Sequence, residues 1–143
     1  MGNFCLLPFT HFSTRTNGDI TPCCRYMGKI GNIKEQSLEE IWNGEYMREL
    51  RRQFLADQRP SGCWQCWELE DSGGTSMRQS MLANRDYQFE RSEEQSFKVP
   101  VIELKMSNLC NLRCRTCKPD LSTTWLKDWE TVRGMYAAAG MNP

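Results

Sequence analysis

Apolar and polar positions are spaced differently in three stretches of the chain, and the spacing predicts three blocks. In residues 1–36 the stretch "HFSTRTNGDITPCC" holds two strand-like runs on either side of Asn17-Gly18. Asn-Gly is a strong hairpin signal because both positions tolerate φ > 0. Such a hairpin folds Cys23 back towards Cys5. The second block changes to helical spacing. Ser37 and Glu40 bracket a capping box, in which the Ser37 hydroxyl accepts from the Glu40 amide and Glu40 reaches back. Asn43-Gly44 interrupts the helix, which resumes at Glu45 with Met47, Leu50 and Phe54 on one core-facing stripe. Cys63 and Cys66 then stand at a turn and the start of another helix. Gly73-Gly74 ends that helix, and Ser76 with Gln79 forms a second capping box opening a helix to about Tyr87.

Residues 88–98, "QFERSEEQSFK", are polar without a period and read as a linker. The third block, 99–143, opens with Val99, Val101, Ile102, Leu104 and Met106, the composition of a buried parallel strand. A cysteine loop follows directly. Asp120 or Ser122 then caps a helix with Trp125, Trp129, Val132 and Tyr136 on one face. Strand, ligand loop, helix is the order of the first βα unit of a parallel α/β fold, with its site at the strand's carboxyl end. With residues 1–87 as a hairpin-plus-helices module, the fold class is α+β. The strand at 99–106 is expected to lack parallel neighbours and to present an open edge.

Composition narrows the function. The 143 residues include 18 basic and 18 acidic side chains, so charge gives no pull towards nucleic acid or an anionic membrane. The hydrophobic fraction is 39% and the mean hydropathy −0.64, with no apolar run long enough for a transmembrane helix. The start, "MGNFCLLPFT", lacks a basic n-region and is broken by Pro8, so it is not a secretion signal. Leu6 fails the myristoylation pattern. A soluble cytoplasmic protein is expected. The eight cysteines, beside a single histidine, then read as metal or cluster ligands, since a reducing compartment disfavours disulfides. His11 is expected to serve packing or hydrogen bonding.

Cys110, Cys114 and Cys117 are spaced C-x3-C-x2-C in "SNLCNLRCRTC". Three thiolates leave one position of a metal centre open, which is how a site is made reactive and not merely structural. This loop after a strand resembles the cluster motif of the radical S-adenosylmethionine superfamily. The resemblance implies a 4Fe-4S cluster on these three cysteines, with S-adenosylmethionine on the unique iron and its reductive cleavage to a 5′-deoxyadenosyl radical that modifies a substrate. It also implies a reductant such as flavodoxin or ferredoxin as partner. The family's aromatic position before the last cysteine, near the adenine, is Thr116 here, a departure from the pattern. Arg113 and Arg115 beside the ligands either offset the negative charge of a thiolate-bound cluster or, on the blander reading, are surface charges. The alternative for the three cysteines is a zinc site completed from elsewhere in the chain.

Cys5, Cys23, Cys63 and Cys66 remain, with Cys24 spare. Four thiolates from a hairpin and a helix start would enclose a fully ligated centre. "CLLPF", "NGDITPCCR", "GNIKEQSLEEIWNGEYMRELRRQF" and "CWQC" resemble the SPASM and twitch auxiliary-cluster modules of radical S-adenosylmethionine enzymes. The resemblance implies one auxiliary 4Fe-4S cluster, the twitch form, and it covers residues 5–66. The module here precedes the other motif, whereas in most relatives it follows. Trp64 and Trp67 are read as either a shield for the cluster or ordinary packing. A (β/α)8 barrel needs about 250 residues, and residue 143 lies one helix beyond Cys117. The expectation is therefore the N-terminal part of a longer enzyme, which alone does not turn over. The rival class is a non-catalytic interaction module stabilised by a four-cysteine zinc site; a small iron–sulfur electron carrier is the third. The substrate leaves no mark in these residues.

Overall fold

A computed structural model describes residues 2–83 and 89–141. The chain divides into two units, residues 1–104 and 105–143.

The first unit opens with one helical turn, α1 (Leu7–Thr10), with Pro8 near its start where a missing N–H costs nothing. It runs straight into strand β1 (His11–Thr14), which pairs antiparallel with β2 (Asp19–Thr21), and β2 pairs antiparallel with β3 (Gly31–Asn32). The hairpin forms where Asn17-Gly18 predicts it, but by a longer turn. The Gly18 amide donates to the Arg15 carbonyl, and only Gly18 takes a positive φ, at 94°. Asn17 acts through its side chain, accepting from the Asp19 amide at 3.1 Å. This is a three-residue loop with glycine at the left-handed position.

Both expected capping boxes are present. Ser37 Oγ accepts from the Glu40 amide and Glu40 accepts from the Ser37 amide, opening α2 (Leu38–Trp42). Ser76 and Gln79 exchange the same pair before α5 (Met77–Ala83). The expected continuation of that helix to Tyr87 lies outside the described residues. Between them run α3 (Glu45–Leu55) and α4 (Trp64–Asp71). Met47, Leu50 and Phe54 of α3 are buried, as their spacing predicts. They join Phe9, Phe12, Ile20, Ile41 and Trp42 in one core, where each large side chain contributes about 1.5–3 kcal/mol. Phe12 meets Trp42 edge-on, ring centres 5.0 Å apart.

Arg51 shares the buried face of α3, fully enclosed. Its Nε donates to the Pro8 carbonyl at 2.9 Å, and its guanidinium lies 4.3 Å from the Trp42 ring centre. Burial lowers its pKa to about 10.

The strand expected over 99–106 is shorter and less buried. Only Val101–Glu103 form β4, and Ile102, Leu104 and Met106 are exposed. Contrary to the expectation of no parallel neighbour, β4 has one. It pairs with β1, Phe12 opposite Ile102, giving the order β3-β2-β1-β4. The reason is non-local: β2 occupies one edge of β1 and leaves the other open, and Ser13 Oγ adds a 3.1 Å bond to the Glu103 carboxylate. β4 keeps an open outer edge, as expected.

In the second unit a 3₁₀ turn at Thr123–Trp125 leads into α6 (Leu126–Ala138). Ser122 precedes the turn in extended conformation, but its hydroxyl donates to the Leu112 carbonyl at 2.8 Å and caps nothing. Trp125, Trp129 and Val132 are half-buried, whereas Tyr136 is exposed.

Candidate metal centre

Three separate segments of the first unit deliver cysteines to one place. Cys5 precedes α1 and is buried. Cys23 stands just beyond β2, where its carbonyl accepts from Thr21 Oγ1 at 2.9 Å and from the Tyr26 amide at 3.2 Å. Cys63 closes the 3₁₀ turn Ser61–Cys63, and Cys66 lies in the first turn of α4. The hairpin and the α3–α4 connection thus converge. All four cysteines line one cavity, with Leu7, Arg25, Tyr26, Phe54, Met77 and Arg78 around them. Leu7 and Phe54 make the inner wall apolar.

The surroundings press on the thiols. Burial pushes Cys5 far above the ordinary range, partly opposed by the Leu7 amide. Cys23 is pushed up to about 11 by burial, against hydrogen bonds from the Arg25 and Tyr26 amides. Cys63 is pushed up to about 12 by burial and by Cys23 and Cys66, while Arg78 pulls the other way. Without metal these thiols are therefore held neutral. The backbone amides directed at Cys5 and Cys23 are the donors that favour the thiolate form once a metal takes the proton's place. Soft donors, a dry wall and N–H groups aimed at sulfur fit an iron–sulfur cluster.

Arg78 has no signal in the sequence reading and is a structural keystone of the site. Its side chain is buried and forms a two-pronged ion pair with Glu70, at 3.0 and 2.6 Å. Its remaining nitrogen donates to the Gly2 and Phe4 carbonyls at 3.0 and 2.7 Å, which ties the strand of chain carrying Cys5 to α4 and α5. Burial acts to raise the Glu70 pKa, but the bonds from Arg78 and Ser76 outweigh it and leave the carboxyl below its ordinary value. The other tether is Asp57, in left-handed conformation at φ 56°, which accepts the Asn3 amide at 2.6 Å.

The two tryptophans beside the ligands behave differently. Trp67 is buried against Phe54 and donates to the Pro60 carbonyl at 3.1 Å, whereas Trp64 is 46% exposed. Neither lines the cavity. His11 is buried with Nδ1 3.0 Å from the Pro22 carbonyl, a hydrogen-bonding role. Cys24 is exposed, its sulfur 3.9 Å from Met77 Sδ.

In the second unit the three remaining cysteines sit on a more open loop. Cys110 and Cys117 are half-buried; Cys114 and Thr116 are exposed. Ser122 and Thr124 pin the loop by donating to the Leu112 carbonyl, and Trp125 Nε1 donates to the Cys114 carbonyl at 3.2 Å. Arg113 pairs with Asp128 at 2.6 Å on the surface. Among the described residues no three His, Cys, Asp or Glu side chains are placed to hold a single metal ion.

Residues 5–67 match the family model of the SPASM iron–sulfur cluster-binding domain. The matched stretch contains Cys5, Cys23, Cys63 and Cys66 and ends at Trp67. The match supports a SPASM or twitch module over those residues, a kind of domain described as iron–sulfur cluster-binding. No curated protein and no solved structure matches the chain significantly. Among the described residues no helix is long and apolar enough to cross a membrane.

Proposed function

We propose that the chain is part of a radical S-adenosylmethionine enzyme, with one 4Fe-4S cluster on Cys5, Cys23, Cys63 and Cys66 and a second, open one on Cys110, Cys114 and Cys117. The observation that carries the reading is the convergence of four cysteines, from three segments distant in sequence, on one apolar-walled cavity inside the matched SPASM stretch. When bound, such clusters supply one-electron chemistry. The chain's own contribution is to hold the thiolates in a dry shell, direct the Leu7, Arg25 and Tyr26 amides at their sulfurs, and keep the Arg78 cation nearby. On the open loop, Cys110, Cys114 and Cys117 would hold three irons and leave the fourth for S-adenosylmethionine, with Thr116 at the position near the adenine, and a small reductant protein would supply the electrons.

A four-thiolate zinc site is the rival use of the first set. Zinc would take the same four thiolates at about 2.3 Å each, without the sulfide that a cluster carries.

Site-resolved reconstitution tests the reading. After anaerobic loading with iron and sulfide, Cys63→Ser is expected to lose one cluster and keep the other, and Cys114→Ala the reverse. S-adenosylmethionine should perturb the spectrum of wild type and Cys63→Ser but not of Cys114→Ala. Loss of all iron in both variants contradicts two separate centres.

A further inference from the structure

The ring of Tyr26 lines the four-cysteine cavity and lies close to two glycines. A Cβ built on Gly62 would stand 2.5 Å from Tyr26 Cε2 and 3.0 Å from its hydroxyl, so the ring packs against the residue that precedes Cys63. On the other side Gly28, at φ 148°, would place a Cβ 3.1 Å from Tyr26 Cε1. The backbone at this point is fixed. The Tyr26 carbonyl accepts from Arg15 at 3.0 Å, its amide donates to the Cys23 carbonyl, and the next amide, Met27, donates to the Gly62 carbonyl at 2.8 Å. The ring itself is half-buried, with one side on the cavity it shares with Cys23 and Cys63. With the backbone fixed, the side-chain torsions are the freedom left to the ring.

We propose that Tyr26 is the gate of this cavity: its ring closes the mouth beside Cys63 and swings out between Gly28 and Gly62 to admit small reactants, iron and sulfide during loading and oxidants afterwards. The proposal rests on the iron–sulfur reading of the cavity, and Tyr26 acts as a positioning residue that controls access to ligands held by others. It also accounts for Gly62, where a side chain would have to displace the ring.

Site-resolved alkylation of the full-length apoprotein with iodoacetamide, read by mass spectrometry, tests the gate. Tyr26→Ala should raise the alkylation rate of Cys63 about tenfold, with the Cys5 rate unchanged. Tyr26→Phe, which keeps the ring, should stay at the wild-type rate. Gly62→Ala adds atoms where Tyr26→Ala removes them, yet should open the same thiol by displacing the ring. Reconstituted Tyr26→Ala should also lose its visible absorbance in air faster than Tyr26→Phe. Wild-type rates at Cys63 in both Tyr26→Ala and Gly62→Ala overturn the gate, as does Cys5 accelerating in step with Cys63, which marks general loosening. The alkylation uses metal-free protein, so its outcome stands apart from whether the cavity takes iron with sulfide or zinc.

Discussion

Asn43 and Gln95 exchange a reciprocal pair of hydrogen bonds: Asn43 Nδ2 donates to the Gln95 carbonyl at 2.7 Å, and the Gln95 amide donates to Asn43 Oδ1 at 3.0 Å. Trp42 Nε1 donates to the next carbonyl, Ser96, at 3.0 Å, and Arg51 donates to the Glu93 carbonyl at 3.1 Å. Side chains from α2, its C-cap residue and α3 thus hold residues 93–96 by their backbone, a few residues before β4. Asn43→Ala is expected to lower stability by about 1–3 kcal/mol and to expose residues 89–104 to limited proteolysis, with iron content unchanged. Asn43→Asp keeps the acceptor and loses the donor, so its proteolysis rate should fall between the two.

The buried Arg78–Glu70 pair makes a second expectation. Arg78→Met strands the Glu70 carboxylate and frees the Gly2 and Phe4 carbonyls, at a cost of about 3–5 kcal/mol in chemical denaturation. The Glu70 pKa is depressed in the fold, so the pair's stabilisation is present above the unfolded carboxyl value of 4.5 and is lost as pH falls through the lower folded value. Glu70→Gln should flatten that acid-side slope.

The thiols predict the opposite slope at alkaline pH. Cys23 and Cys63 hold their protons in the folded apoprotein to about 11 and 12, against an unfolded value of 9.0. A raised folded pKa gives stability that is complete below 9.0 and disappears as pH climbs towards the folded values. Apoprotein melting temperature should therefore fall between pH 9 and 11, and the loaded protein, whose cysteines are already deprotonated, should lack that component.

Local signals were legible in the sequence, because capping boxes, the Asn17-Gly18 hairpin and the α3 stripe each depend on neighbours within one or two turns. That Cys5, Cys23, Cys63 and Cys66 come together was also legible, because the hairpin returns Cys23 towards Cys5, and the structure puts all four on one cavity. What stayed hidden is non-local. Arg51 and Arg78 look like surface charges until the carbonyls of Pro8, Gly2 and Phe4 arrive to accept from them. Residues 88–98 have the composition of a linker, yet residues 93–96 are held by side chains that recognise backbone, which leaves no mark on the recognised residues. The partner of β4 depended on which edge of β1 remained open. Tyr26 carried no signal either, since its role comes from two glycines on separate loops.

Metal analysis tests most directly whether the four cysteines around Leu7 and Phe54 hold an iron–sulfur cluster. Protein made in iron-replete cells and purified without oxygen should be brown. Its iron should be matched by acid-labile sulfide, and Cys63→Ser should lose about four of each per chain. Stoichiometric zinc without sulfide, released by that same substitution, would contradict the account.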